Sequence, residues 1–146
     1  MSGCIAWGRF YPVQGPLSAQ APVPVFKAEA TGWLMSGEMS VKLEGGEVCK
    51  GRWSATQAAP EPTAAPPASG ADEESLASVW DIVYGQGFYV SHVLGRHLFA
   101  RAKLAGDKGT VLRVEVYKPD SASRENTRPA RGVAKDNKGN IYKVVF

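Results

Sequence analysis

Short runs in which every second residue is apolar constrain this chain more than any other feature, because a period of two suits a half-buried strand and does not suit a helix. Phe26, Ala28 and Ala30 alternate with Lys27 and Glu29. Met39, Val41 and Leu43 alternate with Ser40 and Lys42, and a third run ends at Trp53. Between the second and third runs stand Gly45 and Gly46, which supply the positive φ of a tight turn. Residues 25–54 therefore read as a three-stranded meander. Further along, Leu98, Ala100, Ala102 and Leu104 alternate inward. Gly106, Asp107, Lys108 and Gly109 turn the chain, and Leu112, Val114 and Val116 alternate back. After a polar stretch from Pro119 to Ala130, Gly132 to Lys135, a turn at Asp136 to Asn140 and Ile141 to Phe146 complete a second meander, whose last strand is expected to be paired.

Sixteen Gly and ten Pro among 146 residues favour strands and turns over a bundle of helices. One short helix is expected where Leu76, Val79, Trp80 and Val83 fall at helical spacing, behind Asp72, Glu73 and Glu74 and before Gly85. The segment FYVSHVLG from Phe88 is undecided between strand, helix and irregular chain, with extended or irregular chain favoured. Residues 55–72 hold four Pro and seven Ala with no large apolar side chain, and read as a flexible loop. The expectation is a mainly β fold, a small antiparallel sandwich or open barrel of about six to seven strands in two three-stranded meanders, with one short helix. Residues 25–146 form the single domain. Residues 1–24, rich in Pro and without sustained periodicity, read as an N-terminal tether, or as a strap that packs Trp7, Phe10 and Tyr11 on the domain.

No run of about 18 apolar residues occurs, so no helix predicted from this sequence spans a bilayer. Charge is unevenly distributed. Residues 1–94 carry 5 basic and 9 acidic side chains, and residues 95–146 carry 12 and 5. The basic half suits an anionic partner, and Lys103, Arg113, Lys135 and Lys143 are the candidate anion-binding residues if they share a face. Asp107, Glu115, Asp120, Glu125 and Asp136 interrupt that charge, which favours a plain solvated face.

Catalytic patterns are sparse. His92 and His97 lack Cys, Asp or Glu at metal-ligand spacing, so no metal site is expected. Ser91 and His92 would point to opposite faces of a strand. GQG at 85–87 and GDKG at 106–109 open no helix of the phosphate-binding kind, and Glu29, Glu38, Glu44 and Glu47 are expected at exposed strand and turn positions. Cys49 has the strand parity of Trp53 and reads as a buried, inert thiol, or as the partner of Cys4 in a disulfide. No catalytic residue and no cofactor is assigned.

Met1, Ser2, Gly3 and Cys4 resemble the tail of a bacterial lipobox, in which an aliphatic residue, a small residue and Gly or Ala precede the Cys. Met1 stands where Leu is usual, and the charged and hydrophobic regions of a signal peptide are missing. The chain is thus similar to uncharacterised bacterial lipoproteins, and the resemblance implies acylation of Cys4. With Ile5 and Ala6 following and no Asp, it implies sorting to the outer membrane, or a periplasmic location. Together these observations lead to a non-catalytic envelope or secreted binding or scaffolding module. Its partner would be an envelope protein or polymer, its membrane contact a lipid on Cys4. A hydrolase with a dispersed site and, if Met1 is the true start, a cytoplasmic anion or nucleic-acid binder are the alternatives. Phe99, Tyr117 and Tyr142 on basic strands are the ingredients of a single-strand-binding face, although no RNP-like motif accompanies them.

Overall fold

The computed structural model describes residues 4–33, 36–56, 76–93, 99–117 and 130–146. Eight antiparallel strands follow one another around a closed barrel: β1 (Cys4–Gln14), β2 (Phe26–Trp33), β3 (Ser36–Lys42), β4 (Val48–Thr56), β5 (Phe99–Gly106), β6 (Val111–Tyr117), β7 (Arg131–Asp136) and β8 (Ile141–Val145). Each strand pairs with its neighbour in sequence, and β1 closes the ring on β8 from Arg9↔Val145 to Gln14↔Ile141. The two expected meanders are therefore one continuous meander, joined where β4 pairs with β5 from Cys49↔Gly106 to Thr56↔Phe99. The mainly β expectation holds, with one strand more than the sequence pattern suggested.

The additional strand corrects the tether reading over Cys4–Gln14. β1 is not a tether but a wall of the barrel; Phe10 packs on the domain as the strap reading expected, fully buried against Phe26 and Tyr142, while Trp7 stays exposed. Pro12 obscured the strand, since proline cannot donate a ladder hydrogen bond. The chain accommodates Pro12 beside an irregularity, where the register with β8 shifts between Pro12 and Gln14 and the pairing with β2 has already ended at Phe10↔Phe26.

Inside the ring, Phe10, Phe26, Val41, Leu104, Leu112, Val114, Tyr142 and Val144 form a core without a solvent channel between them. Each fully buried side chain of this size contributes roughly 2 kcal/mol relative to exposure. The Trp53 ring lies against Gly32 and Gly37 and donates from Nε1 to the Thr31 carbonyl at 3.0 Å, while the Phe146 ring lies over Gly8. Glycines are required there because a Cβ at Gly37 would run into the Thr31 carbonyl. In a side-chain-filled eight-stranded barrel, the function has to be sought on the outside or at the ends.

The predicted helix is α1 (Ala77–Tyr84), ended by Gly85 at φ 121. It lies outside the barrel, where Leu76, Val79 and Trp80 bury themselves against Tyr117, Val133 and Ile141 of β6, β7 and β8. The undecided segment after it makes a single π-helical turn, Tyr89–Val93, so the extended or irregular conformation is not adopted. Tyr84, Phe88 and His92 stack successively, with ring centroids 4.7 and 4.5 Å apart. Residues 57–72 of the Pro/Ala-rich loop, and Asp72, Glu73, Glu74, His97 and Leu98, lie outside the described residues.

Candidate functional site

One end of the barrel is tied together by its turns. Glu47, before β4, accepts the Thr110 hydroxyl at 2.7 Å and the backbone N–H groups of Lys108 and Thr110. The Thr110 hydroxyl holds its carboxyl below the ordinary carboxylate value of 4.5, against the opposing effect of burial. Asp136 accepts from the backbone of Lys138 and Asn140, from Asn140 Nδ2 and from the Tyr142 hydroxyl. Burial and that bond to Asp136 push the Tyr142 phenol far above its ordinary value. Asn140 Oδ1 in turn accepts Leu17 N–H, and Asn137 bridges to Gly109 O and Val111 N. Among the described residues no buried polar side chain of this belt lacks a partner, and both carboxylates hold turns of the fold. Glu47 is thereby buried rather than exposed as its turn position suggested.

The outer wall differs. On β4 to β7 the strand register sets Arg52 opposite Lys103, Lys103 opposite Arg113, and Arg113 opposite Lys135. All four have the parity opposite to the buried Leu104, Leu112 and Ala134, and so face outward; Arg52, Lys103 and Lys135 are exposed and Arg113 is half-buried. Adjacent strands lie about 4.8 Å apart, so the four cations form a row about 14 Å long. Lys50 stands two residues from Arg52 on the same face. Glu38, opposite Arg52 on β3, ends the row. Beside that end lies a groove of about 390 Å³ lined by Glu29, Glu38, Ser40, Lys50 and Arg52.

Two of the acids that interrupt the basic half of the sequence are buried. Asp136 points into the barrel. Glu115 is buried under α1, where it accepts Leu76 N–H at 3.3 Å, Trp80 Nε1 at 2.9 Å and Arg101 Nε at 3.0 Å. Glu115 forms an ion pair with Arg101. Like charges directly opposite on adjacent strands destabilise a sheet by tenths of a kcal/mol each.

Of the candidate anion-binding residues, Lys103, Arg113 and Lys135 are thus brought together and Lys143 is not. Lys143 pairs with Val133 and Tyr11 and carries its ammonium 5.6 Å from the centre of the Tyr84 ring. Arg52 takes the fourth place. Nothing in the sequence joins it to Lys103, 51 positions away, except the pairing of β4 with β5. Tyr117 and Tyr142 are buried, under α1 and in the core, so they cannot serve as the stacking surface of a single-strand-binding face; the side chain of Phe99 lies outside the described residues.

Cys49 is buried and free, which removes the disulfide with Cys4, and burial pushes its thiol up to about 11. Cys4 opens β1 opposite Gly32. Ser91 donates its hydroxyl to the Gly87 carbonyl, and the exposed His92 stacks on Phe88, so the two do not form a nucleophile and base pair. Among the described residues no group of three or more His, Cys, Asp and Glu is placed to hold a metal ion.

Charged side chains face outward on every strand, from Arg9 on β1 to Lys143 on β8, and the interior is apolar apart from the hydrogen-bonded polar belt around Glu47 and Asp136 at one end. A lipid-embedded barrel has the opposite pattern. Fold and site together define a side-chain-filled antiparallel meander barrel with charged side chains outward on every strand and a row of cations on one wall. Compared with protein-family models, curated proteins and solved structures, the chain gives no significant match in any of the three.

Proposed function

We propose that this protein is a non-catalytic binding module of the bacterial cell envelope, and that the row Arg52, Lys103, Arg113 and Lys135 holds a linear polyanion, a phosphate-bearing or sulfate-bearing polymer. The juxtaposition of four outward cations on four adjacent strands carries the reading. A chain of phosphates laid across β4 to β7 meets one cation per strand. Recognition by charge alone fits a polymer without bases, since exposed aromatic rings do not interleave with the described part of the row. The envelope location rests on the lipobox-like Met1 to Cys4. A lipid on Cys4 would join the barrel directly, because β1 begins at that residue.

Long-chain polyphosphate is the probe, its affinity measured by titration over a range of salt concentrations. Four phosphate contacts give a slope of log K against log salt of roughly −3. The double variant Lys103→Gln/Arg113→Gln halves that slope and keeps the fold. Absence of polyphosphate binding at low salt, or an unchanged slope in the double variant, refutes the assignment. Metabolic labelling with palmitate tests the location, with label expected on the wild-type chain and none on Cys4→Ser.

A further inference from the structure

The wall opposite the cation row is of another kind. β1 turns Ile5, Trp7 and Val13 outward, and Val25 precedes β2 beside them, with 55, 69, 45 and 49% of their surfaces exposed. These side chains lie outside both clusters of buried residues, and α1 packs instead against β7 and β8. Arg9 stands directly opposite Lys27, and Lys143 opposite Tyr11. Glu29, across from Trp7, is the one acid among the described outward positions of β1, β2 and β8. Between them runs a groove of about 460 Å³ lined by Trp7, Arg9, Tyr11, Lys27 and Val145.

We infer that this wall seats the barrel on an anionic lipid bilayer, independently of any lipid on Cys4. The residue types are those an interface rewards. Trp and Tyr rest at headgroup depth, aliphatic side chains enter the acyl boundary, and Arg and Lys meet the phosphates. A second copy of this chain fits poorly, because a two-fold contact sets the patch on its own copy, and Glu29 is its one acid against Arg9, Lys27 and Lys143. A plain polyanion leaves Ile5, Trp7 and Val25 in water. An anionic bilayer satisfies both the cation pair and the apolar side chains.

The test uses the unacylated full chain and vesicles of phosphatidylcholine with or without phosphatidylglycerol, some carrying brominated acyl chains. Expected are binding that requires phosphatidylglycerol and quenching of tryptophan emission that is lost in Trp7→Phe. Arg9→Gln and Lys27→Gln each weaken binding by about fivefold, and Lys103→Gln/Arg113→Gln leaves the Trp7 quenching intact. Each of three outcomes overturns the inference: no binding, equal binding to pure phosphatidylcholine, or binding without Trp7 quenching that the Lys103→Gln/Arg113→Gln pair abolishes. The last of these would assign the membrane contact to the cation row. Concentration-dependent dimerisation abolished by Trp7→Ser would assign the wall to self-association instead, and likewise overturns it.

Discussion

Removing the carboxylate of Glu115 should undock α1 from the barrel. In the folded protein Glu115 accepts three hydrogen bonds, from Leu76 N–H, Trp80 Nε1 and Arg101 Nε. Glu115→Ala strands the first two donors in a buried site, at about 1–3 kcal/mol each. Arg101 keeps a third of its side chain in water and rehydrates, so its lost ion pair adds little. The expected loss is about 2–6 kcal/mol. In Glu115→Gln the amide oxygen still serves Trp80, but its NH2 faces another donor at Leu76, and the loss falls to about 1–3 kcal/mol. Urea denaturation followed by far-UV circular dichroism for the barrel and by tryptophan emission for α1 measures both. Hydrogen exchange at residues 77–84 tells whether the helix detaches first. Equal losses in the two variants, or a loss below about 1 kcal/mol in Glu115→Ala with α1 amides still protected, would refute the reasoning.

Phe10→Ala should cost about 3–5 kcal/mol by equilibrium denaturation, since Phe10 is wholly buried in the core; a loss under about 1 kcal/mol would mean β1 is not an integral strand. The Cys49 thiol, raised from 9.0 to about 11, should react with a disulfide reagent at pH 8 at least about a hundredfold more slowly than a free thiol, and reaction at the free rate would contradict its burial. Glu47 has a folded value below its unfolded one, so its contribution to stability is complete above pH 4.5 and declines as the pH falls below that value. Thr110→Val removes the hydroxyl that is the largest cause of the shift, and should flatten the fall in melting temperature between neutral and acid pH; an unchanged pH profile would show that Glu47 is not the group responsible.

Most of the barrel is legible in the sequence because strand alternation and glycine turns are local signals. The hairpin of β5 and β6, the turn at Gly45 and Gly46 and the helix ended by Gly85 all stand where the pattern sets them. What the sequence hides depends on contacts between distant segments. β1 turns its aromatics both ways, Phe10 inward and Trp7 and Tyr11 outward, and contains Pro12, so its alternation resembles a linker. Glu115 has the parity of a solvent-facing strand residue, and only the docking of α1 buries it. Lys103, Arg113 and Lys135 share parity within successive strands, which made their shared face legible. Arg52 joins them through a pairing across 42 intervening residues between β4 and β5, and Lys143 leaves them because the register of β8 sets it beside Val133.

The cation row is the center of the functional account, and backbone amide shifts mapped by NMR during titration with long-chain polyphosphate test it most directly. The account predicts that the largest perturbations fall on Arg52, Lys103, Arg113 and Lys135 and fade as salt is added, with β1 and β2 unaffected. Perturbations centred on Arg9 and Lys27, or none on β5 and β6, would contradict it.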